Sequence, residues 1–502
     1  MPTTQQKNTE TMTAVRPPVV VIVGHIDHGK TTLLDYIRKT KVAERETGGI
    51  TQAIGAYQVE HHGRRIALID TPGHEAFSAM RRRGTHVADV AVLVVAADEG
   101  VKPQTEEAIR VIQEAELPFV VAINKADKPN ADPQRVKQEL AERAVLVEGY
   151  GGTVPATEVS AKTGQGVDAL LETILLLAEL EELTADLTKP GEGVVIESHL
   201  DPKRGATATL LVEDGTLRRG EFVAIGDQAA PVRIFENFRG EAVEAAYPSD
   251  PVRIAGFGRV PELGERFRSF KTRAEAEAAL GGARPLPAAP AAAADAGKTT
   301  ISIVLKTDVL GSKEAIETAL AAVASPTLGH RILKSETGDI TESDVKLAAS
   351  SVGTFIVGFR VKIAPAIREL AERSRVPIVI RDVIYELLDA VKETMIALAP
   401  AEMRRRELGT AAILARFRED RGKQIVGGRV EAGALTKGAR FEIVRNQAKV
   451  GMGKIIGLQS SHRDVEEVPE GQEFGLLAEA DLAIAVGDRL ECFIEEKVSP
   501  TL

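Results

Sequence analysis

The run Val19-Val20-Val21-Ile22-Val23-Gly24 passes straight into His25-Ile26-Asp27-His28-Gly29-Lys30-Thr31-Thr32, and helix-compatible Leu33-Leu34-Asp35-Tyr36-Ile37 follows. A short apolar run bounded by glycine reads as a buried strand, and the loop after it has the spacing Gly-x-x-x-x-Gly-Lys-Thr. Gly24 and Gly29 let the backbone curl until successive N–H groups face one anion. Lys30 then reaches the outer phosphates, and the Thr31 hydroxyl is placed to ligate Mg²⁺. The start of the chain is thereby committed to strand, phosphate cradle and helix, the opening unit of a doubly wound α/β sheet. The cradle alone does not choose a base.

That choice comes from Asn124-Lys125-Ala126-Asp127, just past the apolar run Pro118 to Ile123, where ligands bind in open α/β sheets. Guanine offers two adjacent donors that one carboxylate, Asp127, accepts together; adenine would leave that carboxylate unpaired, so the site favours GTP over ATP. Ser160-Ala161-Lys162 is placed to add a backbone N–H to guanine O6. Between cradle and base loop, Gly48-Gly49-Ile50-Thr51-Gln52 is a glycine-loosened segment in which Thr51 joins Mg²⁺ only when a third phosphate holds it. In Asp70-Thr71-Pro72-Gly73-His74-Glu75, Asp70 is placed to hold Mg²⁺ through water and Gly73 to donate its N–H to the γ-phosphate. His74 is placed to orient the attacking water.

Together these five segments resemble the nucleotide motifs of the translational GTPases, and Gly-Gly-Ile-Thr-Gln with Thr-Pro-Gly-His-Glu-Ala-Phe resembles the family of bacterial translation initiation factor two. The resemblance runs from about Val19 to Ile494. It implies that His74 is catalytic, that Ile26 and Ile50 form a hydrophobic gate restraining it until a ribosome moves it, and that Asp27 helps hold a monovalent cation. It also implies that a long helix acts as a lever and that the last domain binds the formylmethionyl end of initiator tRNA.

At 502 residues the chain exceeds what one hydrophobic core serves, so three to five domains are expected. No apolar run approaches the roughly 20 residues of a membrane span and no leader is evident, which points to a cytoplasmic protein; a monomer is expected. The single Cys492 offers neither an internal disulfide nor a zinc cluster and reads as a small buried strand residue. A net charge of -10 argues against broad wrapping of RNA, so contact with the two ribosomal subunits must be local. Arg81-Arg82-Arg83 and Arg404-Arg405-Arg406 are the candidate patches; the alternative for each is a solvated helix face.

In chain order, residues 1–15 read as a disordered tail and 16–188 as the GTPase domain. Short strands and glycine turns over 189–270 read as an antiparallel β-barrel, Ala/Pro-rich 271–298 as a linker, and 299–381 as a small α/β/α sandwich. Within the sandwich, Asp339 to Asp344 reads as a helix cap at Thr341 rather than a metal site. Ile384, Leu387, Leu388, Val391, Met395 and Leu398 place a helix over 382–400, and 401–502 reads as a second antiparallel β-barrel. The barrels look like copies: Asp214-Gly215-Thr216-Leu217-Arg218-Arg219-Gly220 echoes Ala432-Gly433-Ala434-Leu435-Thr436-Lys437-Gly438, each before an apolar strand.

Against the resembled family the chain departs in the last domain: Gly428 and Phe474 stand where cysteines are usual, and Ser460-Ser461 replaces a basic-aromatic pair, while Glu473 and Gly475 are kept. These positions line that family's pocket for the formylated amino acid, so Phe474 is expected to reshape it, with Gly428 making room opposite. Relatives also carry a longer N-terminal extension, whose contacts are not expected here. The reading is a ribosome-dependent GTPase that promotes initiator tRNA binding and subunit joining. The alternatives are a specialised elongation factor, or a GTP-regulated binding protein for RNA or ribosome assembly.

Overall fold

A parallel strand covered on both faces has no polar side to show, and β2 of the first domain, Val19–Gly24, is buried at every position. The computed structural model describes residues 13–40, 51–280, 299–323, 328–399, 402–420, 423–461 and 463–498. The first domain comprises strands β1 (Thr13–Val15), β2, β3 (Gly55–His61), β4 (Arg64–Asp70), β5 (Val90–Ala96), β6 (Phe119–Asn124), β7 (Ala156–Glu158) and β8 (Thr184–Asp186). Its helices are α1 (Lys30–Arg38), α2 (Ser78–His86), α3 (Pro103–Glu114), α4 (Pro133–Ala141) and α5 (Val167–Leu180). The sheet order is β3-β4-β2-β5-β6-β7, parallel except for the β3–β4 hairpin. Val20, Ile22, Leu33, Val92, Leu170 and Ile174 share one core, and β2, β4 and β6, being parallel, all end on the same side of the sheet.

The expected disordered tail is corrected at its end: Thr13 to Val15 pair antiparallel with Asp186 to Thr184, and residues 1–12 lie outside the described residues. Beside this pairing Arg16 forms an ion pair with Asp89, whose carboxylate also accepts the Val19 N–H, and Ser249 donates to the Pro17 carbonyl. The next domain strings seven strands in the order Gln228–Pro231, Phe222–Ile225, Arg266–Phe270, Glu192–Asp201, Gly205–Asp214, Pro251–Phe257, Ile234–Asn237, every neighbour antiparallel, around Leu210, Val223, Phe235, Ile254 and Phe267.

The expected linker 271–298 does not begin as one. Thr272 caps a helix Arg273–Ala279, its hydroxyl accepting from the Glu275 amide while the Glu275 carboxylate accepts from Thr272, and Ala276 is buried. Residues 281–298 lie outside the described residues.

In the sandwich a four-stranded parallel sheet runs Leu328–Thr337, Thr299–Thr307, Thr354–Phe359, Ile378–Arg381. The edge strand Leu328–Thr337 is absent from the sequence reading because its half-exposed positions break the apolar pattern. Helix Glu342–Ala349 starts at Thr341, whose amide donates to the Asp344 carboxylate at 2.9 Å. Helix Ile384–Leu398 buries Ile384, Leu387, Val391 and Met395. No helix among the described residues is long and apolar enough to cross a membrane.

Residues 396–502 form a separate unit. Its strands Glu402–Asp420, Arg489–Val498, Arg440–Arg445, Ala448–Ser460, Glu473–Ala480 and Lys423–Thr436 pair in that order, and the last returns to the first, closing the barrel without an edge. Gly215 and Gly433 have φ of 75° and 70°, and Gly220 and Gly438 have φ of 87° and 86°, so the two barrels turn alike at the repeated motif. Cys492 is buried, which pushes its thiol up to about 12.

Among the described side chains of the two arginine triplets, all but Arg82 have acidic partners. On the second barrel Arg405 and Arg406 lie on a strand, paired with Glu442 and Glu496. Of the triplet on α2, only Arg82 is exposed; Arg83 pairs with Glu314 at 3.0 Å. Arg81 falls on the buried stripe with Phe77, Met80 and Gly84 and is 1% exposed. One of its amino groups meets both Glu107 oxygens, at 2.7 and 2.6 Å, and the other donates to the carbonyls of Pro72 and His74, at 2.9 and 2.6 Å. Arg81→Ala strands a carboxylate and two carbonyls, and the expected loss is roughly 3–5 kcal/mol of stability, against within about 0.5 kcal/mol for Arg82→Ala. Urea unfolding of the two variants checks this; equal midpoints would contradict it.

Candidate nucleotide site

Between β2 and α1 the backbone does what the glycine spacing predicts. Gly24 has φ of 144° and abuts the Val94 carbonyl, which a Cβ would meet at 2.4 Å; Gly29 has φ of 84° and opens α1. Ile26, Asp27 and His28 form a short 3-10 turn, with the Ile26 amide donating to Gln104 of α3 and Asp27 exposed. His25 is half-buried, and Thr32 is exposed in the first turn of α1. His28 is buried against the Val94 carbonyl, and burial pushes its imidazole down to about 4, leaving it neutral.

Three oxygens named as metal ligands converge. The Thr31 and Thr51 hydroxyls are 2.7 Å apart, and Thr51 donates to Asp70 at 3.2 Å. The other Asp70 oxygen is buried with no hydrogen-bond partner among the described residues, and burial raises its carboxyl above the usual carboxylate range. Two hydroxyls beside an under-satisfied carboxylate suit Mg²⁺, a hard cation that takes oxygen ligands. Lys30 is buried, its ammonium donating to the Gly24 and His25 carbonyls at 2.9 and 2.6 Å, and burial lowers its pKa. A buried ammonium under a ring of backbone amides is the charge arrangement a polyphosphate neutralises.

Asn124 binds three loops together. Its side-chain amide donates to the His28 carbonyl at 2.8 Å and its oxygen accepts from the Ala161 amide at 2.9 Å. The Ala161 N–H is therefore committed, and Lys162 has the amide with no acceptor among the described residues. Ser160 donates to Asp127 at 2.7 Å, and that hydroxyl holds the exposed Asp127 carboxylate below its ordinary pKa. Lys125 pairs with Glu99 at 2.7 Å.

Gly73 lies directly over the cradle: a Cβ there would meet the Lys30 ammonium at 2.6 Å and the Ile26 backbone at 3.0 Å. His74 is half-buried, and its Nδ1 accepts from the Ala76 amide at 3.1 Å, so the neutral ring carries its proton on Nε2. Burial, then Arg81, lowers its pKa. Ile50, the other expected gate residue, lies outside the described residues.

Sequence reasoning missed two residues here. Arg81 was read as surface charge, although its place on the stripe with Phe77 and Gly84 was a signal. Gln52 is 2% exposed; its side chain donates to the Asp382 carbonyl at 2.8 Å and accepts from the Ile384 amide at 3.1 Å, tying the residue after Thr51 to the start of helix Ile384–Leu398. No pattern in the chain announces that pairing.

On the second barrel an open pocket of about 770 Å³ is lined by Leu414, Phe417, Ile425, Gly428, Ser460 and Phe474, among others. Gly428 and Phe474 are cross-strand partners, and a Cβ on Gly428 would meet the Ala412 carbonyl at 2.1 Å and the Phe474 ring at 2.7 Å. Phe474 is buried in the barrel core, Glu473 is exposed, and Gly475 faces Gln459 across the strands.

Residues 16–179 match the family model described as Elongation factor Tu GTP binding domain, residues 190–270 match Elongation factor G domain 2, and residues 288–392 match Translation-initiation factor 2. Translation initiation factor IF-2 of Rubrobacter xylanophilus is 44% identical over 491 residues, covering 95% of this chain and 71% of that protein. The same factor from Roseiflexus castenholzii is 43% identical over 502 residues, covering 97% and 68%. Among solved structures, GDP-bound aIF5B from Aeropyrum pernix is 27% identical, covering 95% of this chain and 92% of that one, at a TM-score of 0.47. With identity above 40% to both relatives sustained along nearly its whole length, the chain belongs to the translation initiation factor IF-2 family of GTPases.

Proposed function

We propose that this chain, acting as a cytoplasmic monomer, holds initiator tRNA on the ribosome and promotes subunit joining in the GTP state, then leaves after hydrolysis. The observation that carries the reading is the convergence of Thr31, Thr51 and Asp70 beside Lys30, with Asn124 tying the cradle to the base loops. GTP lies with its phosphates in the loop of residues 24–32 and its guanine on Asp127, with Lys162 donating to the base. When bound, Mg²⁺ would neutralise phosphate charge; Thr31, Thr51 and, through water, Asp70 would hold it. Asp27, exposed at the cradle, is assigned to a monovalent cation.

His74 orients the attacking water and donates from Nε2, and the proposed gate of Ile26 and Ile50 keeps it from that water until the ribosome shifts the loop. The hydrogen bond from Ala76 and the Arg81 clamp support this waiting state. In the last barrel, Gly428, Glu473, Phe474 and Gly475 bound the pocket for the formylmethionyl end, and the Phe474 ring over Gly428 narrows it.

Subunit joining with initiator tRNA, measured with and without GTP, tests the whole reading. Four narrower outcomes follow. Asp127→Asn removes an ionised acceptor worth about 1.5–3 kcal/mol, so GTP binding should weaken by about 10–100-fold in nucleotide titration; unchanged affinity would count against the assigned base site. His74→Ala should leave GTP affinity intact and cut ribosome-stimulated turnover by about 100-fold or more. Because the His74 pKa is lowered, the ring is neutral at pH 7, and wild-type turnover should hold level there and fall only on the acid side of about 6.5; a rise on that side would contradict the role. Phe474→Cys should raise the preference for formylated over unformylated initiator tRNA, read as a ratio of affinities, and an unchanged ratio would show that the ring does not set the pocket.

A further inference from the structure

The β3–β4 hairpin turns through His61-His62-Gly63-Arg64 and lies against α5. His61 is 8% exposed, and its Nε2 is buried with no hydrogen-bond partner among the described residues. His62 adopts a φ of 49°, and its ring stands edge-on to that of His61 with centroids 4.1 Å apart. From α5, a Glu172 oxygen lies 3.8 Å from Nε2 of His62. One ligand atom from each of the three residues lies within 4.8 Å of the others. Farther along α5, Glu179 pairs with Arg64, so hairpin and helix are held together independently of the histidines.

A surface ion pair accounts for His62 and Glu172, and only when the imidazole is protonated. It leaves His61 with a buried ring nitrogen that nothing satisfies, which costs roughly 1–3 kcal/mol. A shared cation draws on one ligand atom from each of the three side chains at once. Two imidazoles and a carboxylate with a position left for water form a donor set that zinc takes, whereas Mg²⁺ and Ca²⁺ prefer oxygen alone. Two bonds of about 2.1 Å span at most about 4.2 Å, so the set closes on one ion by small rotations of His62 and Glu172, which are mostly exposed and free to make them.

We propose that His61, His62 and Glu172 form a binding site for a transition-metal dication of the zinc class, which clasps the β3–β4 hairpin to α5. Register puts it away from the nucleotide: Gly55 pairs with Asp70 at one end of the hairpin and His61 with Arg64 at the other. The site is therefore separate from the one assigned to Mg²⁺.

The test titrates Zn²⁺ into the full chain against a chromophoric zinc chelator, with excess GDP and Mg²⁺ present to occupy the nucleotide loops. One equivalent should bind, and Co²⁺ in its place should give the visible absorption of a four-coordinate site. His62→Ala and Glu172→Gln, both at exposed positions, should each weaken Zn²⁺ binding by about tenfold or more, and His86→Ala should not. Zn²⁺ should raise the melting temperature of the wild type and leave that of His62→Ala unmoved. No competition with the chelator, or equal Zn²⁺ affinity in the wild type and both site variants, would overturn the proposal.

Discussion

The carboxamide of Asn124 is the joint on which the nucleotide site depends. Its two hydrogen bonds join the cradle after β2 to the loop after β7, and its own backbone ends β6, so three segments far apart in sequence are set at fixed spacing by one side chain. The approach is possible only because residue 29 has no Cβ: one placed there would stand 2.4 Å from the Asn124 amide nitrogen. Loss of the carboxamide would leave a buried carbonyl and a buried amide unpaired, at about 1–3 kcal/mol each. The Ser160 hydroxyl extends the same joint outward to Asp127, so the residue proposed to read the base is aimed by a network that begins at the loop after β2.

What was legible along the chain follows from where each signal comes from. β2, β5 and β6 are apolar throughout because the sheet is covered on both faces, and runs of that kind stand out. The residues of the proposed nucleotide motifs stood out equally, since each chemistry demands a residue type at a spacing. The strands Thr13–Val15 and Leu328–Thr337 were missed because edge pairing leaves side chains half-exposed and erases the pattern. Helix Arg273–Ala279 hid in alanine-rich composition, although Thr272 and Glu275 had the spacing of a reciprocal cap.

Arg81 was misjudged for another reason. Its charge suggested solvent, and what makes burial tolerable is Glu107 on a different helix, a partner no local reading supplies. Once paired, the guanidinium has donors left over, and it spends them on the carbonyls of Pro72 and His74. A buried ion pair thus shapes the loop that carries the catalytic candidate, and its positive charge also helps keep that imidazole neutral. The pairing of Gly428 with Phe474 is the converse case: it was expected from the chain, and strand register sets the two face to face.

Gln52 carries a consequence of its own. Its backbone adjoins Thr51, whose hydroxyl meets Thr31 and Asp70, while its carboxamide gives one hydrogen bond and takes one at the foot of helix Ile384–Leu398. Withdrawing Thr51 from its oxygen neighbours pulls on an amide with no slack, and the helix foot must either follow or give up a donor and an acceptor together. The far segment thereby inherits the near one's order as a boundary condition, transmitted through a single glutamine without any intervening chain of contacts.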